Sequence, residues 1–327
     1  MAELLHIDPQ KCRPRWRTDA TTVDSMTTGF TNLDVPDQAD RTFLVTGANT
    51  GLGLETARVL AGKGARVLMG CRTESKANAA MRSIEADVPG ADLAFVELDQ
   101  ADLASVRSCA DAVSTGEGRL DVLVNNAGIM MPPRELTADG FESQLGVNHL
   151  GTFALTGLLL PKLADGDAGR VVITSSLAHI QGEIDFDDLT AVHDYSRQAR
   201  YQQSKLANIL HMYELDRRLR AADASTIAVA CHPGIANTDL ARHLGPLKLL
   251  VPVVRPFFNS AAQGAWPTLQ AATDPSAAGG DYYGPTKRGE TSGPSAKARS
   301  SSRARDPELA ARLWDVSVEL TGVDPQL

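Results

Sequence analysis

The chain has 327 residues, 43% of them hydrophobic, enough for one large core of the size a single α/β domain uses. Lys and Arg number 32 against 40 Asp and Glu, a formal net charge of −8 that repels a phosphate backbone and excludes wholesale nucleic-acid binding. Cys12, Cys71, Cys109 and Cys231 stand far apart with no C-x-x-C pair, which fits reduced buried thiols rather than a disulfide framework or a zinc site.

Met1 to about Asp40 is polar, without an apolar period, and carries a small basic cluster (Lys11, Arg13, Arg15, Arg17). It reads as a flexible or surface-draped extension, with Met26 as an alternative start. Met1–Gln10 has neither the leading positive charge nor the apolar run of a signal peptide. From Arg41 short β-branched runs alternate with helical stretches. The strand candidates are Phe43–Thr46, Arg66–Met69, Leu93–Glu97, Val122–Val124, Arg170–Thr174, Thr226–Ala230 and Asp281–Tyr283. Between them lie helix-like segments at Leu52–Ala61, Ser75–Glu85, Leu103–Ser114, Glu142–Leu163 and Tyr201–Leu219. This alternation predicts α/β architecture: a single Rossmann-like, doubly wound parallel sheet sandwiched by helices.

Two stretches break the rhythm. Ala241–Gln263 is rich in Leu, Val, Pro and Phe and reads as a substrate lid, with ordinary core packing or an oligomer contact as its rival. Its most lipophilic part, Leu247–Phe258, is interrupted by Lys248, Pro252, Arg255 and Pro256 and is shorter than the ~20 residues a membrane-spanning helix needs. Gly289–Ala304 is a Ser/Gly/Lys/Arg stretch read as a solvated loop. A closing helix follows over Asp306–Leu320, with Asp306 as N-cap and Pro307 in its first turn. The resulting division is an extension at 1–40, a catalytic domain at 41–287 with the lid at about 240–263, and a polar loop plus C-terminal helix at 288–327. The expected location is the cytoplasm.

The first strand runs into Gly47-Ala48-Asn49-Thr50-Gly51-Leu52-Gly53 and then a helix. Glycines there permit a tight turn and let backbone N–H groups approach a pyrophosphate at the helix N-terminus. A glycine turn with no ligand is the plain alternative; the strand before it and the helix after it favour the cradle. The second strand ends Gly70-Cys71-Arg72, with no carboxylate to hold ribose hydroxyls. Arg72 offers a planar cation that suits a 2′-phosphate, so NADP(H) is preferred, with NAD(H) as the alternative and a merely solvated arginine as the rival reading.

Tyr201-Gln202-Gln203-Ser204-Lys205 places two chemistry-bearing residues four apart, on one helix face. A phenol titrates near ~10. A neighbouring ammonium is expected to lower that value, the tuning a general acid/base needs. Tyr195 cannot play this part, because Ala199 stands four residues on. Ser175-Ser176 ends the fifth strand, and Asn148 lies in Gly146-Val147-Asn148-His149-Leu150. Strand ends at this edge of a parallel sheet are where ligands bind.

The G-x-x-x-G-x-G spacing, Asn125-Asn126-Ala127-Gly128, the Ser175-Ser176 strand end, Tyr201-x-x-x-Lys205 and His232-Pro233-Gly234-Ile235-Ala236-Asn237-Thr238, in this order, resemble the short-chain dehydrogenase/reductase family over about Arg41 to Thr286. Cys71-Arg72, Ser175-Ser176-Leu177-Ala178-His179, Ser204-Lys205-Leu206-Ala207-Asn208 and the insert Gly182–Leu189 look most like its retinol-dehydrogenase-like branch. The departure is that no N-terminal membrane anchor is visible, which puts a membrane-delivered retinoid in question.

The resemblance implies that Ser176 bonds the substrate oxygen, Tyr201 passes the proton, Lys205 holds the nicotinamide ribose and tunes the tyrosine, and Asn148 anchors a water relay. Ser175 is the fallback for the serine. It further implies adenosine-side contacts from Asp99, Gln100, Asn126, Ala127 and Gly128, with Gln100 standing where an apolar residue is usual. Nicotinamide-side contacts fall to Pro233, Gly234, Ile235 and Thr238, and self-association to the two long helices. The expectation is hydride transfer between NADP(H) and a carbonyl or alcohol, lipophilic if Leu247, Leu249, Leu250, Phe257 and Phe258 line the lid. Two other functions stay open: a non-catalytic NADP(H)-binding sensor or scaffold, and a carbon–carbon double-bond reductase of the same fold.

Overall fold

A computed structural model describes residues 29–166, 168–235 and 259–327. Among these, eight strands form one sheet in the order β3-β2-β1-β4-β5-β6-β7-β8. They are β1 (Thr42–Thr46), β2 (Arg66–Cys71), β3 (Leu93–Glu97), β4 (Val122–Asn125), β5 (Arg170–Thr174), β6 (Ile227–Cys231), β7 (Tyr282–Lys287) and β8 (Ser292–Lys297). All neighbours pair parallel except β7 with β8. The helices are α1 (Gly51–Gly62), α2 (Glu74–Asp87), α3 (Leu103–Gly116), α4 (Ser143–Leu145), α5 (Gly151–Ala164), α6 (Arg197–Ala221), α7 (Ala261–Gly264), α8 (Trp266–Thr273) and α9 (Pro307–Thr321).

The run Thr42–Thr46 is buried along its whole length, as a parallel strand covered on both faces must be. Alternate residues feed opposite cores. Leu44, Leu68, Leu123, Val171 and Ile173 pack under α3, α5 and α6, whereas Phe43, Val45, Met69, Val122 and Val124 pack under α1, α2 and α8. The chain leaves β1 in one direction along the sheet and resumes at β4 in the other. That reversal opens a crevice at the carboxyl ends of β1 and β4, the place where such sheets take ligands.

The helix expected over Glu142–Leu163 is present in three pieces, because Gly146–Leu150 widens into a π-helical turn between α4 and α5. Such turns mark functional sites, and this one carries Asn148. α6 begins at Arg197, before the tyrosine motif, with Ser196 accepting from the Ala199 N–H as its cap. α9 starts as expected, Asp306 accepting from the N–H groups of Glu308 and Leu309, and stops at Gly322 with φ +62°.

Three sequence expectations change here. Gly289–Ala304 is not a solvated loop: it supplies β8, with Ser295 fully buried, and a short 3₁₀ turn at Arg303–Arg305 that buries Ala304. Ser, Gly and Pro have little strand preference, so the strand forms only because β7 offers its open edge, a tertiary effect without a local pattern. The stretch before Arg41 is anchored from Gly29 onward. Phe30 exchanges both backbone hydrogen bonds with Ser295, at 2.7 and 2.8 Å, and the Trp266 indole N–H donates to Asn32 Oδ1. Finally, α9 lies on the outer sides of α5 and α6. Trp314 sits 5.0 Å from the Phe153 ring and 5.8 Å from that of His211, so part of the surface expected to pair with another copy is covered by the chain itself. The lid candidates Leu247, Leu249, Leu250, Phe257 and Phe258, together with Thr238 and the basic cluster before Phe30, lie outside the described residues.

Candidate active site

The glycine loop is shaped by close contact as well as by backbone freedom. Gly47 (φ +67°) and Gly51 (φ +57°) adopt the left-handed conformation. A Cβ on Gly53 would lie 2.4 Å from the Gly47 carbonyl oxygen and 2.6 Å from Asn126 Nδ2, so packing alone demands glycine there. Asn126 ties the ends of β1 and β4 together: its Nδ2 donates to the Thr46 carbonyl at 2.8 Å, while its own N–H and that of Ala127 donate to Thr46 Oγ1. α1 starts with Thr50 in an extended conformation and exposed, its side chain capping no N–H. The first-turn N–H groups of Gly51, Leu52 and Gly53 therefore have no side-chain acceptor, the arrangement that receives a phosphate. Half-buried Asn49 borders the same loop. Burial pushes the adjacent Cys71 thiol up to about 11, against the pull of the Ala48 and Asn49 backbone groups.

Gly47 N–H donates to the Gly70 carbonyl at 2.8 Å, which sets the end of β2 beside the loop. Arg72, two residues on, is exposed and has no ion pair among the described residues. Asp99 folds back on itself, its Oδ1 accepting from the Ala101 N–H. Gln100 turns inward instead: its Nε2 donates to Thr152 Oγ1 at 3.0 Å and to the Val147 carbonyl at 3.4 Å. Its side chain is thus spent on the π-helical turn, leaving only its backbone for the adenosine side.

The four residues expected to do the chemistry meet at the carboxyl ends of β4 and β5. A Cβ on Gly128 would lie 3.0 Å from Asn148 Oδ1 and 3.4 Å from Lys205 Nζ, so all three crowd one point. Asn148 is held from both sides. Its Oδ1 accepts from the Ile129 N–H at 2.8 Å; its Nδ2 donates to the Ile129 carbonyl and, at 2.9 Å, to Ser204 Oγ. Ser204 in turn donates to the Tyr201 carbonyl, which links the π-helical turn to α6 one residue from Lys205. Lys205 is buried, with Nζ donating to the Thr174 carbonyl at 3.2 Å and lying 5.9 Å from the Tyr201 ring centroid.

The two serines separate cleanly. Ser175 is buried and donates to the Lys205 carbonyl at 2.7 Å, a tie between β5 and α6. Ser176 is half-buried just before a 3₁₀ turn, Leu177–Gln181; its Oγ accepts from the Ala178 N–H and lies close enough to the Tyr201 phenol to oppose the rise of its pKa. Ser176, not Ser175, lies beside the Tyr201 hydroxyl. Tyr195 is elsewhere, donating to the Pro132 carbonyl and holding the loop after β4.

The electrostatics correct one expectation. Burial raises the Tyr201 phenol above its usual value, and the Ser176 hydrogen bond only partly opposes this. Lowering by the Lys205 ammonium is not what dominates: burial outweighs it at the phenol and depresses Lys205 itself to about 8. The Tyr201 hydroxyl is thus favoured in its protonated form.

On the opposite wall, Gly234 (φ +69°) donates its N–H to His232 Nδ1, and the Ile235 N–H donates to the Thr291 carbonyl at 2.9 Å. The segment Pro233–Ile235 is therefore braced by the β7–β8 hairpin, whose part in the site had no signal in the sequence. Ser204 and the Thr174 carbonyl were likewise missed. Ser204 lay inside a recognised motif, but a backbone oxygen leaves no trace in residue type.

A family model for the short chain dehydrogenases matches residues 41–247. Human retinol dehydrogenase 12 is 42% identical, with 90% of this chain and 89% of that one covered. Human retinol dehydrogenase 13 is 40% identical over 87% of this chain and 85% of its own length. Among solved structures, a putative uncharacterized protein from Mycobacterium paratuberculosis superposes with a TM-score of 0.78 at 44% identity, covering 92% of this chain and all of that one (100%). A putative short chain dehydrogenase from Shigella flexneri, complexed with NADP, shares the fold at a TM-score of 0.59 and 24% identity, over 75% of this chain and 97% of that one.

Proposed function

The chain belongs to the short-chain dehydrogenase/reductase family, as an oxidoreductase of retinol-dehydrogenase-like kind, and on that premise we propose that it reduces lipophilic aldehydes or ketones with NADPH, using Tyr201 as the acid. The observation that carries this reading is the convergence of Asn148, Ser176, Tyr201 and Lys205 at the sheet edge beside the uncapped glycine loop.

The loop from Gly47 to Gly53 would hold the pyrophosphate, and Arg72 a 2′-phosphate, where a planar, permanently charged fork is the fitting partner. Asp99, Asn126 and Ala127 would border the adenosine, and Pro233, Gly234 and Ile235 the nicotinamide. The bound nicotinamide supplies the hydride, or takes it in the reverse direction. The protein's own residues manage the proton. Burial keeps the Tyr201 hydroxyl protonated at neutral pH, so it can release a proton to the carbonyl oxygen as that oxygen gains charge. Ser176 Oγ accepts from the Ala178 N–H and keeps its own hydrogen to place on the same oxygen. Lys205 spends one hydrogen on the Thr174 carbonyl, which leaves two for ribose hydroxyls. Asn148 locks Lys205's surroundings to the Ile129 backbone.

The lipophilic substrate class draws support from the relatives' names, retinol dehydrogenase, and from the Leu- and Phe-rich segment at 240–263. A cytoplasmic location belongs to the same reading; no helix among the described residues is long and apolar enough to cross a membrane. The test is fluorescence titration with NADPH and NADH, then assay of all-trans-retinal and medium-chain aldehydes with product analysis, for wild type and Tyr201→Phe. An alcohol product that disappears in the variant is expected. A product with a saturated carbon–carbon bond, or binding of neither nucleotide, overturns the reading.

A further inference from the structure

His179 is fully buried directly behind Ser176 and has no part in the chemistry described above. Its ring is committed at both nitrogens. Nε2 lies 3.2 Å from the Ser301 backbone nitrogen, whose N–H can only donate, so Nε2 must carry the lone pair. The hydrogen of the neutral ring therefore sits on Nδ1, 2.6 Å from the Ser176 carbonyl oxygen, and is donated to it. That carbonyl also accepts the His179 backbone N–H at 3.0 Å. An imidazolium would set two N–H groups against each other at Ser301, and burial already disfavours the charged ring.

The ring is fixed laterally as well. The Tyr282 ring stands edge-on to it at 5.6 Å, and on its other side meets His232 at 5.2 Å. His232 is clamped between the Gly234 N–H on Nδ1 and Glu290 Oε2 at 3.2 Å from Nε2. The partners Ser301 and Glu290 both come from the stretch that reads as a featureless polar loop. The C-terminal hairpin and the strand end after it thus reach the active site through two histidines, one under the serine turn and one under the Pro233–Ile235 segment.

We propose that His179 is a positioning residue: as the Nδ1–H tautomer, backed by the Ser301 N–H, it fixes the Ser176 carbonyl and so aims Ser176 Oγ at the substrate oxygen beside Tyr201. The proposal rests on the functional reading above for what Ser176 does. A bond from ring to backbone on the reacting residue acts through orientation, and small misplacements at a reacting centre are expensive in rate.

The test is carried out on the full chain. Long-range ¹H–¹⁵N correlation spectra at neutral pH, with and without NADPH, report the tautomer of each histidine; comparison with His179→Asn assigns the signal. A neutral Nδ1–H ring is expected, and an Nε2–H ring or an imidazolium overturns the proposal whatever the enzyme turns over. In NADPH-dependent reduction of all-trans-retinal, His179→Ala is expected to lose about tenfold to a hundredfold in kcat with unchanged NADPH affinity. His179→Asn, which keeps an N–H donor at the δ position, recovers most of that loss. Equal kcat for wild type and both variants, or an Asn variant as slow as a folded Ala variant, sinks the positioning role alone. A wild type that binds NADPH and reduces no carbonyl sinks the functional reading and this role with it.

Discussion

Ser175→Ala and Ser176→Ala should damage two different properties, because adjacent hydroxyls face opposite ways. The Ser175 hydroxyl is buried and makes a 2.7 Å bond to the Lys205 carbonyl. Its loss removes one buried hydrogen bond, worth about 1 kcal/mol, from a carbonyl that is already served within its helix. For a chain of this size that is a fall of about 2 °C in Tm. Chemistry is touched only indirectly, so kcat should stay near wild type. Ser176 is half-buried, and on the proposed mechanism its hydroxyl hydrogen goes to the substrate oxygen. Removing a donor that faces developing negative charge costs about 10²–10³ in kcat, or roughly 2.7–4 kcal/mol of transition-state stabilisation. Its stability cost is a 3.2 Å cap bond on a short turn, together with the contact to the Tyr201 phenol. The assay pairs NADPH consumption at saturating cofactor with calorimetric melting of both variants. If Ser175→Ala loses the rate while Ser176→Ala loses only stability, the assignment of the two serines is reversed and the site geometry is wrong. Equal loss in both would mean the strand end moves as a unit.

Arg72→Ala should weaken NADPH binding by about tenfold to a hundredfold, the worth of a charge-assisted hydrogen bond, and leave NADH unchanged in the same titration. Equal weakening of both nucleotides would refute the 2′-phosphate role. Lys205 should make stability rise with pH. Its folded-state value of about 8 lies below the unfolded 10.5, so the unfolded chain binds more protons between the two and the penalty of burying the charge fades across that window. The full penalty is about 3 kcal/mol. Denaturation of wild type and Lys205→Met at neutral and alkaline pH should show the variant's advantage shrinking, and a constant difference would refute it. Trp314→Ala should cost about 3–5 kcal/mol, because it empties the space between α9, Phe153 and His211. A near-normal melting temperature would show that α9 does not hold to α5 and α6 in solution.

Much of this architecture was legible residue by residue. Phe43–Thr46 and Arg170–Thr174 read as strands because continuous β-branched runs of that length can be buried on both faces only in a parallel sheet. The helix over Pro307–Thr321 was legible because Asp306 and Pro307 mark its start by capping chemistry, which is local. The site was legible where side chains stand at fixed spacing, as with Tyr201 and Lys205 one helical turn apart. It was not legible where an outcome depended on direction. The Gln100 side chain gave no sign that Thr152 and the Val147 carbonyl of a π-helical turn draw its amide into the core, leaving its backbone for any neighbour. Lys205 was expected to lower the tyrosine, yet the same burial that unites them lowers the lysine's pKa and raises the phenol's.

The sequence by itself thus determined the βαβ order, the glycine loop between β1 and α1, and the spacing of the four residues that converge at the sheet edge. Each rests on interactions spanning a few residues, such as hydrophobic period, glycine backbone freedom and helical spacing. Only the tertiary structure decided which of two serines lies beside Tyr201, turned a Ser/Gly-rich stretch into the strand at Ser292–Lys297, and brought Ser301 and Glu290 up behind the site. Those outcomes depend on which edge or carbonyl stands opposite, and the Glu290 and Ser301 contacts span more than fifty residues of chain. Free backbone groups in low dielectric take whatever partner the fold supplies, and no local pattern announces it.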